Sequence, residues 1–202
     1  DLAIPGQPEK APPGQPEFVQ TPVQYLRASS FDRLASRGRQ LAEQYRGELS
    51  SIEKDFGVPG NVVLAIWARE TDYGGYKLPH DAIRVLATQA FAGKRKEFFQ
   101  NEFLHALKML QDGTPRADMR SSWGGALGLT QFLPSEYYKY GVDFDHNGRA
   151  DIFRSVPDAL ASAAKQLAAK GWRAGARTSR GPDIRSVWRS RALLRRCRSI
   201  TH

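Results

Sequence analysis

The sequence predicts a mainly α-helical fold for most of this 202-residue chain. Apolar residues recur at helical spacing over several long segments, and proline or polar capping residues stand where those segments begin. No segment shows the alternation of apolar and polar side chains that is typical of a half-buried strand. Since 41% of the residues are hydrophobic and the chain is long enough to bury a core, we expect one globular domain.

Six helices are expected. The first covers residues 31–56, where apolar side chains follow a helical period and Ser30 can cap the start. The second begins at Pro59 and contains seven consecutive apolar residues from Val62 to Ala68, so it is expected to be buried on nearly every side. Turn signals delimit the other four, which are expected at residues 81–91, 94–112, 134–140 and 156–170.

Composition divides the chain into three segments. Residues 1–17 contain five prolines and two glycines, and are expected to form an extended linker. Residues 18–173 are expected to be the folded domain. Residues 174–202 are rich in arginine and poor in apolar side chains, so they are expected to be a poorly ordered tail.

The formal net charge of +9 lies almost entirely in this tail, because nine arginines face one aspartate from Arg173 onward. The rest of the chain therefore lacks the broad basic face of a nucleic-acid-binding domain. A DNA-binding module acting through the tail is the alternative from a different functional class. The single Cys197 excludes an intramolecular disulfide and a cysteine metal cluster, and no run approaches the ~18 apolar residues of a membrane span.

Glu70 stands where the apolar second helix gives way to the sequence Tyr73-Gly74-Gly75. At such a position partial desolvation and the negative end of the helix dipole both disfavour the carboxylate, which favours a protonated acid near neutral pH. An acid of this kind can protonate a leaving oxygen. Taken alone, a glutamate at a helix end is more often simply solvated.

Two sequence blocks resemble the membrane-bound lytic murein transglycosylase B family. The block ARETDYG at residues 68–74 is similar to the family's Glu-Thr/Ser-x-Tyr/Trp-Gly signature around its catalytic glutamate. The block SWGGALGLTQFLPS at residues 122–135 is similar to the family's Ser-x-Ala/Gly-Gly-Ala-Met/Leu-Gly-x-x-Gln-Phe-Met/Leu-Pro-Ser. Order and spacing also agree. With the Asp143 loop and the DALAS helix at residues 158–162, which ends at Gly171-Trp172, the resemblance extends over about residues 15–173.

The resemblance implies a lysozyme-like lytic transglycosylase domain. Such a domain cleaves the β-1,4 bond between MurNAc and GlcNAc without water and leaves a 1,6-anhydromuramoyl end. Glu70 would be the single acid and base, with the sugar's N-acetyl oxygen in place of a second carboxylate. The implied partner is the peptidoglycan glycan strand, and the implied setting is the periplasm or cell envelope, with the protein a monomer. A hydrolytic muramidase and a catalytically impaired peptidoglycan-binding protein are the alternatives.

The resemblance also assigns residues to substrate binding, namely Ser122, Gln131, Phe132, Tyr25 and Tyr73. Read without it, Ser122 and Gln131 are ordinary polar turn residues and Phe132 is equally typical of a core. The sequence departs from the family at residues 165–166, where Lys-Gln replaces the frequent Asn-Tyr. A tyrosine near the catalytic acid is therefore absent or replaced.

Residues 143–148 reproduce the first half of an EF-hand loop, with Asp143, Asp145 and Asn147 at positions one, three and five. Position twelve is Arg154, which cannot ligate a cation. An Asp/Asn-rich turn held by its own hydrogen bonds is therefore favoured. No cofactor is expected, and any Ca²⁺ bound by this loop is expected to bind weakly.

Overall fold

Seven α-helices and one two-stranded sheet make up residues 28–173, the part of the chain that this computed structural model describes. The predicted linker (1–17), Tyr25 and the predicted tail (174–202) lie outside the described residues. The elements in chain order are α1 (Ala28–Gln44), α2 (Arg46–Phe56), α3 (Gly60–Thr71), β1 (His80–Asp81), α4 (Ala82–Ala92), α5 (Lys96–Gln111), β2 (Arg120–Ser121), α6 (Pro134–Tyr140) and α7 (Val156–Ala169).

The single helix predicted over residues 31–56 is in fact two helices, α1 and α2, separated at Tyr45. The backbone there has φ −106° and ψ 25°, outside the helical region. Helical hydrogen bonds nevertheless continue on both sides, because the Tyr45 amide donates to the Leu41 carbonyl and the Leu49 amide donates to the Tyr45 carbonyl, both at 2.9 Å. The apolar period runs through the interruption, so the sequence pattern could not reveal it.

Helix α3 begins directly after Pro59, as predicted, but the prediction that it is buried on nearly every side was wrong. Asn61 and Ala65 are exposed, so the helix lies at the surface along one stripe. Its buried side consists of Val63, Leu64, Trp67, Ala68 and Thr71. The remaining four predicted helices are confirmed as α4 to α7, with ends that differ by at most two residues.

Local capping explains where two of these helices start. The Asp81 side chain accepts a hydrogen bond from the Arg84 amide at the start of α4, and Ser155 caps α7 through the Asp158 amide. The sheet pairs His80 with Ser121 and Asp81 with Arg120 in antiparallel register. Strands of two residues are too short to leave a periodic pattern, which is why the sequence did not predict them.

Two main hydrophobic cores organise these elements. The first core joins α2 and α3 to α7, with side chains such as Ile52, Trp67 and Leu160. The second core lies between α4 and α5 and includes Met119 and Leu127. Residues 122–133, called the bridging loop below, connect the two, because Leu127 belongs to the second core while Leu129 packs on the first.

No helix among the described residues has both the length and the apolar character needed to cross a membrane.

Candidate active site

Glu70 lies in the last turn of α3, as the sequence predicted. The residue keeps an exposed surface, while protein atoms crowd its carboxyl group. Desolvation raises the pKa of Glu70 above its ordinary value, and the neighbouring Arg69 opposes this effect only in part. The carboxyl group therefore lies partly among protein atoms but remains within reach of solvent. Because its pKa is raised, a larger fraction of it is protonated at a given pH than of a fully solvated glutamate.

The chain turns sharply after Glu70. Asp72, Tyr73 and Gly74 have φ values of 52°, 55° and 76°, so three consecutive residues adopt the left-handed conformation. For a non-glycine residue this conformation costs about 1–3 kcal/mol and persists only where the surroundings enforce it. Residues 71–74, called the Glu70 turn below, must therefore be held by contacts with other parts of the fold.

Thr71 holds the Glu70 turn from inside. Its side chain is 2% exposed, and its Oγ1 donates a hydrogen bond of 2.7 Å to the Leu129 carbonyl of the bridging loop. The same oxygen accepts a bond of 3.1 Å from the Gly74 amide. One hydroxyl thus closes the turn and fixes it to the second of the two sequence blocks.

Helix α1 holds the Glu70 turn from outside. The Tyr73 hydroxyl donates to the Leu34 carbonyl at 3.0 Å, and Arg33 pairs with both carboxylate oxygens of Asp72 at 3.1 Å. Tyr73 also packs edge-on against Trp67, with ring centroids 5.3 Å apart. Tyr73 is only 6% exposed, so its side chain anchors the turn in the first core, and its role in substrate binding stays a prediction.

Ser122 begins the bridging loop and Gln131 lies two residues before its end, and both are partly exposed. The Ser122 Oγ accepts a hydrogen bond of 3.3 Å from the Ala126 amide. Gln131 has a left-handed backbone with φ 57°, and its Nε2 donates to the Gly128 carbonyl at 3.1 Å. The structure gives each side chain a local partner, and their role in substrate binding stays a prediction.

The bridging loop depends on glycine at Gly125 and Gly128, which have φ values of 82° and 74°. A Cβ atom on Gly128 would lie 2.7 Å from the Ile152 carbonyl oxygen, and one on Gly125 would lie 2.3 Å from Cδ2 of Leu86. These glycines therefore serve close packing as well as backbone conformation.

Phe132 is a core residue. Only 1% of it is exposed, as the core alternative expects, and a role of this ring in sugar contact stays a prediction. The unusual pair at residues 165–166 also serves packing, because Lys165 donates to the Gly141 carbonyl at 3.4 Å and Gln166 to Glu136 at 2.9 Å. These bonds join α7 to the region of α6.

The EF-hand-like loop gathers three carboxylates. Oxygens of Asp143, Asp145 and Asp158 lie within 4.8 Å of one another. Asp158 is fully buried and stands four positions beyond the twelfth position of the motif. Such a set of oxygen donors fits Ca²⁺.

Two features set this loop apart from a complete EF-hand. Arg154 turns away from the loop, and its guanidinium pairs with Asp118 at 2.6 Å, so its cation does not occupy the place of a ligand. Both oxygens of Asp158 already accept backbone hydrogen bonds, from Phe144 and Asp145 on one and from Asp151 on the other. No bidentate glutamate completes the set within the loop.

A cavity of about 220 Å³ opens beside the Glu70 turn. Sequence reasoning missed it because its lining comes from four separate segments. Only Arg154, noted as an anomaly of the EF-hand pattern, gave a signal. The lining includes Thr71, Tyr76, Leu78, Arg120, Phe153 and Arg154.

The chain resembles known proteins in both sequence and structure. The family profile described as "Transglycosylase SLT domain" matches residues 7–192. The membrane-bound lytic murein transglycosylase B of Escherichia coli (strain K12) is 33% identical over 131 residues, which cover 64% of this chain and 36% of that protein.

The structurally similar proteins are also lytic transglycosylases. SltB3 from Pseudomonas aeruginosa in complex with NAG-NAM-pentapeptide superposes with a TM-score of 0.73 at 39% identity, covering 80% of this chain and 46% of that one. Its complex with NAG-anhNAM-pentapeptide superposes with a TM-score of 0.72 at 40% identity, covering 77% of this chain and 42% of that one. Escherichia coli Slt35 in complex with calcium superposes with a TM-score of 0.67 at 30% identity, covering 71% of this chain and 46% of that one. The chain thus spans less than half the length of each of these relatives, and the predicted lysozyme-like lytic transglycosylase fold is confirmed.

Proposed function

This chain belongs to the transglycosylase SLT domain family, and on that premise we propose that it is a peptidoglycan lytic transglycosylase with Glu70 as its one acid and base. The observation that carries the proposal is a solvent-reachable carboxyl group of raised pKa in the last turn of α3. A carboxyl group with a raised pKa holds its proton to a higher pH than an ordinary glutamate, and this proton can be given to a glycosidic oxygen.

The proposed reaction needs no second carboxylate and consumes no water. Glu70 gives its proton to the oxygen that leaves with GlcNAc, while the N-acetyl oxygen of MurNAc stabilises the cationic C1. The resulting Glu70 carboxylate then takes the proton of the C6 hydroxyl as that oxygen bonds to C1. The products are a GlcNAc hydroxyl end and a 1,6-anhydro end, and Glu70 is protonated again.

The nearest carboxylates along the chain have other partners, which supports a one-carboxylate mechanism. Asp72 pairs with Arg33, and Asp81 caps α4 and pairs with Arg116 at 2.9 Å. A relative, SltB3, has been crystallised with NAG-anhNAM-pentapeptide, which carries an anhydro sugar of the kind that this reaction forms. The bacterial cell envelope, and within it the periplasm, is where we place the activity, because that is where the substrate lies.

The test is the mass of the products released from purified sacculi by the full chain. We expect muropeptides that end in 1,6-anhydromuramic acid. Products heavier by one water would show a hydrolytic muramidase instead, and binding to sacculi without release of products would show an impaired wall-binding protein. Either of these results would overturn the proposal.

We also propose that Asp143, Asp145 and Asp158 form a weak Ca²⁺ site, with Asn147 beside them. In a calorimetric titration we expect a dissociation constant of about a millimolar, at the weak end of EF-hand-type sites, because no bidentate glutamate completes the set. Asp143→Ala should remove the signal, and Mg²⁺ serves as the control ion. Micromolar binding lost in Asp143→Ala would contradict the expected weakness.

A further inference from the structure

We propose that the cavity beside the Glu70 turn, through Arg120 and Arg154, binds a carboxylate of the peptide that branches from muramic acid. The inference rests on the proposed function and names the part of the substrate that this cavity takes. SltB3, a relative, is known in complex with a NAG-NAM-pentapeptide, so a glycan that carries a peptide is a ligand within this family.

The cavity lies against the Glu70 turn. Thr71 follows Glu70 directly and also lines the cavity, and Gly74 at the other end of the Glu70 turn lines it as well. The cavity therefore begins one residue along the chain from the proposed acid. A volume of about 220 Å³ suits a short peptide branch of a glycan held at Glu70 and is too small for the strand itself.

The lining of the cavity combines apolar and polar side chains. Apolar side chains form part of the wall, and Tyr76 stands at the cavity with 58% of its surface exposed. Small apolar peptide side chains would find van der Waals partners there, and a tyrosine offers both a ring face and a polar end. The apolar lining residues are Leu78, Ala117, Leu129 and Phe153.

The cavity lining carries three charged side chains. Arg120, Arg154 and Asp118 all line the cavity, which leaves the charged lining one positive charge in excess. Arg154 donates through Nη2 to Asp118, and its side chain is 69% exposed. Arg120 donates through Nε and Nη2 to the carbonyls of Leu78 and Pro79. A guanidinium has five N–H donors, so both heads are oriented by the protein and keep donors for a ligand carboxylate.

Arg154 occupies position twelve of the EF-hand-like loop, where an EF-hand carries a carboxylate ligand. An arginine in that place is unsuited to the loop, yet the structure shows its side chain directed to Asp118 at the cavity. The loop thus delivers a cation to the neighbouring cavity.

Binding of synthetic N-acetylmuramoyl-pentapeptide to the full chain tests the proposal without requiring turnover. The same peptide with its carboxylates converted to amides should bind about tenfold more weakly, since charge-assisted bonds to guanidinium would be lost. Arg120→Gln and Arg154→Gln should each weaken the binding of the acid peptide about tenfold. Neither substitution should change the affinity for the amidated peptide. Arg149→Gln is the matched control, because Arg149 belongs to the same loop as Arg154 and does not line the cavity.

Equal affinity for the acid and amidated peptides would overturn the proposal, as would an equal loss in Arg149→Gln. Arg154→Gln leaves Asp118 without this partner, so its melting temperature is measured alongside. If that variant does not fold, Arg120→Gln and the amidated peptide on the unaltered chain still decide. Carboxylate-dependent binding by a chain that releases nothing from sacculi would uphold this site while the proposed function fails.

Discussion

Replacing Glu70 with glutamine is expected to reduce release of anhydromuropeptides by about a hundredfold to ten-thousandfold, the range that general acid–base catalysis contributes. Glutamine preserves the size of the side chain but can neither give nor take the proton. Turnover on sacculi, followed by product mass, measures the effect. Glu97→Gln, which removes an exposed glutamate of α5, is the control and should retain full turnover. A folded Glu70→Gln protein with near-normal turnover would contradict the mechanism.

The same variant is expected to reveal the raised pKa through stability. Because burial raises the pKa of Glu70, the native protein binds this proton more tightly than the unfolded chain does. The stabilisation is complete below the ordinary glutamate pKa and is lost as pH rises through the raised native pKa. Glutamine does not ionise, so the melting temperature of Glu70→Gln should exceed that of the unaltered chain above that native pKa, and the difference should shrink in acid. A difference that does not change with pH would contradict this linkage.

Replacing Thr71 with valine is expected to have the second-largest effect. Valine matches threonine in shape but lacks the hydroxyl, so the bonds to the Leu129 carbonyl and from the Gly74 amide are both lost. The part-buried Leu129 carbonyl then lacks this donor, and we expect a loss of about 1–3 kcal/mol in the free energy of unfolding. Because the Glu70 turn is strained, we also expect turnover to fall about tenfold or more as the carboxyl loses its position.

Thr71→Ser separates the hydroxyl from the rest of the side chain. Serine keeps both hydrogen bonds and should restore most of the turnover, although it lacks the methyl group. Thermal melts and turnover on sacculi are measured for both variants. Valine and serine variants with the same turnover would show that the hydroxyl does not position Glu70.

Local signals made much of this fold predictable. Pro59 marks the start of α3, and the capping residues Asp81 and Ser155 mark the starts of α4 and α7. The place of Glu70 at a helix end beside a glycine turn was readable for the same reason, since both depend on neighbours along the chain. The Thr71 hydroxyl was visible in the motif, but its partner Leu129 lies 58 positions away.

Features decided by distant contacts were not predictable. The partner of the Tyr73 hydroxyl is the Leu34 carbonyl, 39 positions earlier, and no local pattern indicates this bond. The burial of Phe132 and the direction of Arg154 towards Asp118, 36 positions away, are likewise settled only when the chain is folded. Motif letters specify residue types, whereas burial is a property of the assembled structure.

The two cores differ in how much of the chain each must gather. The buried residues of the second core all lie within residues 82–127, so the contacts among them close over shorter distances along the sequence than those of the first core. The first core, which supports Glu70, needs Leu160 from α7, and Trp172 completes it by donating to the Gly57 carbonyl across 115 positions. Contacts of such separation carry a larger entropy of loop closure and favour late formation during folding. A polypeptide emerging from the ribosome therefore acquires the support of its proton-transfer group only after α7 has been made.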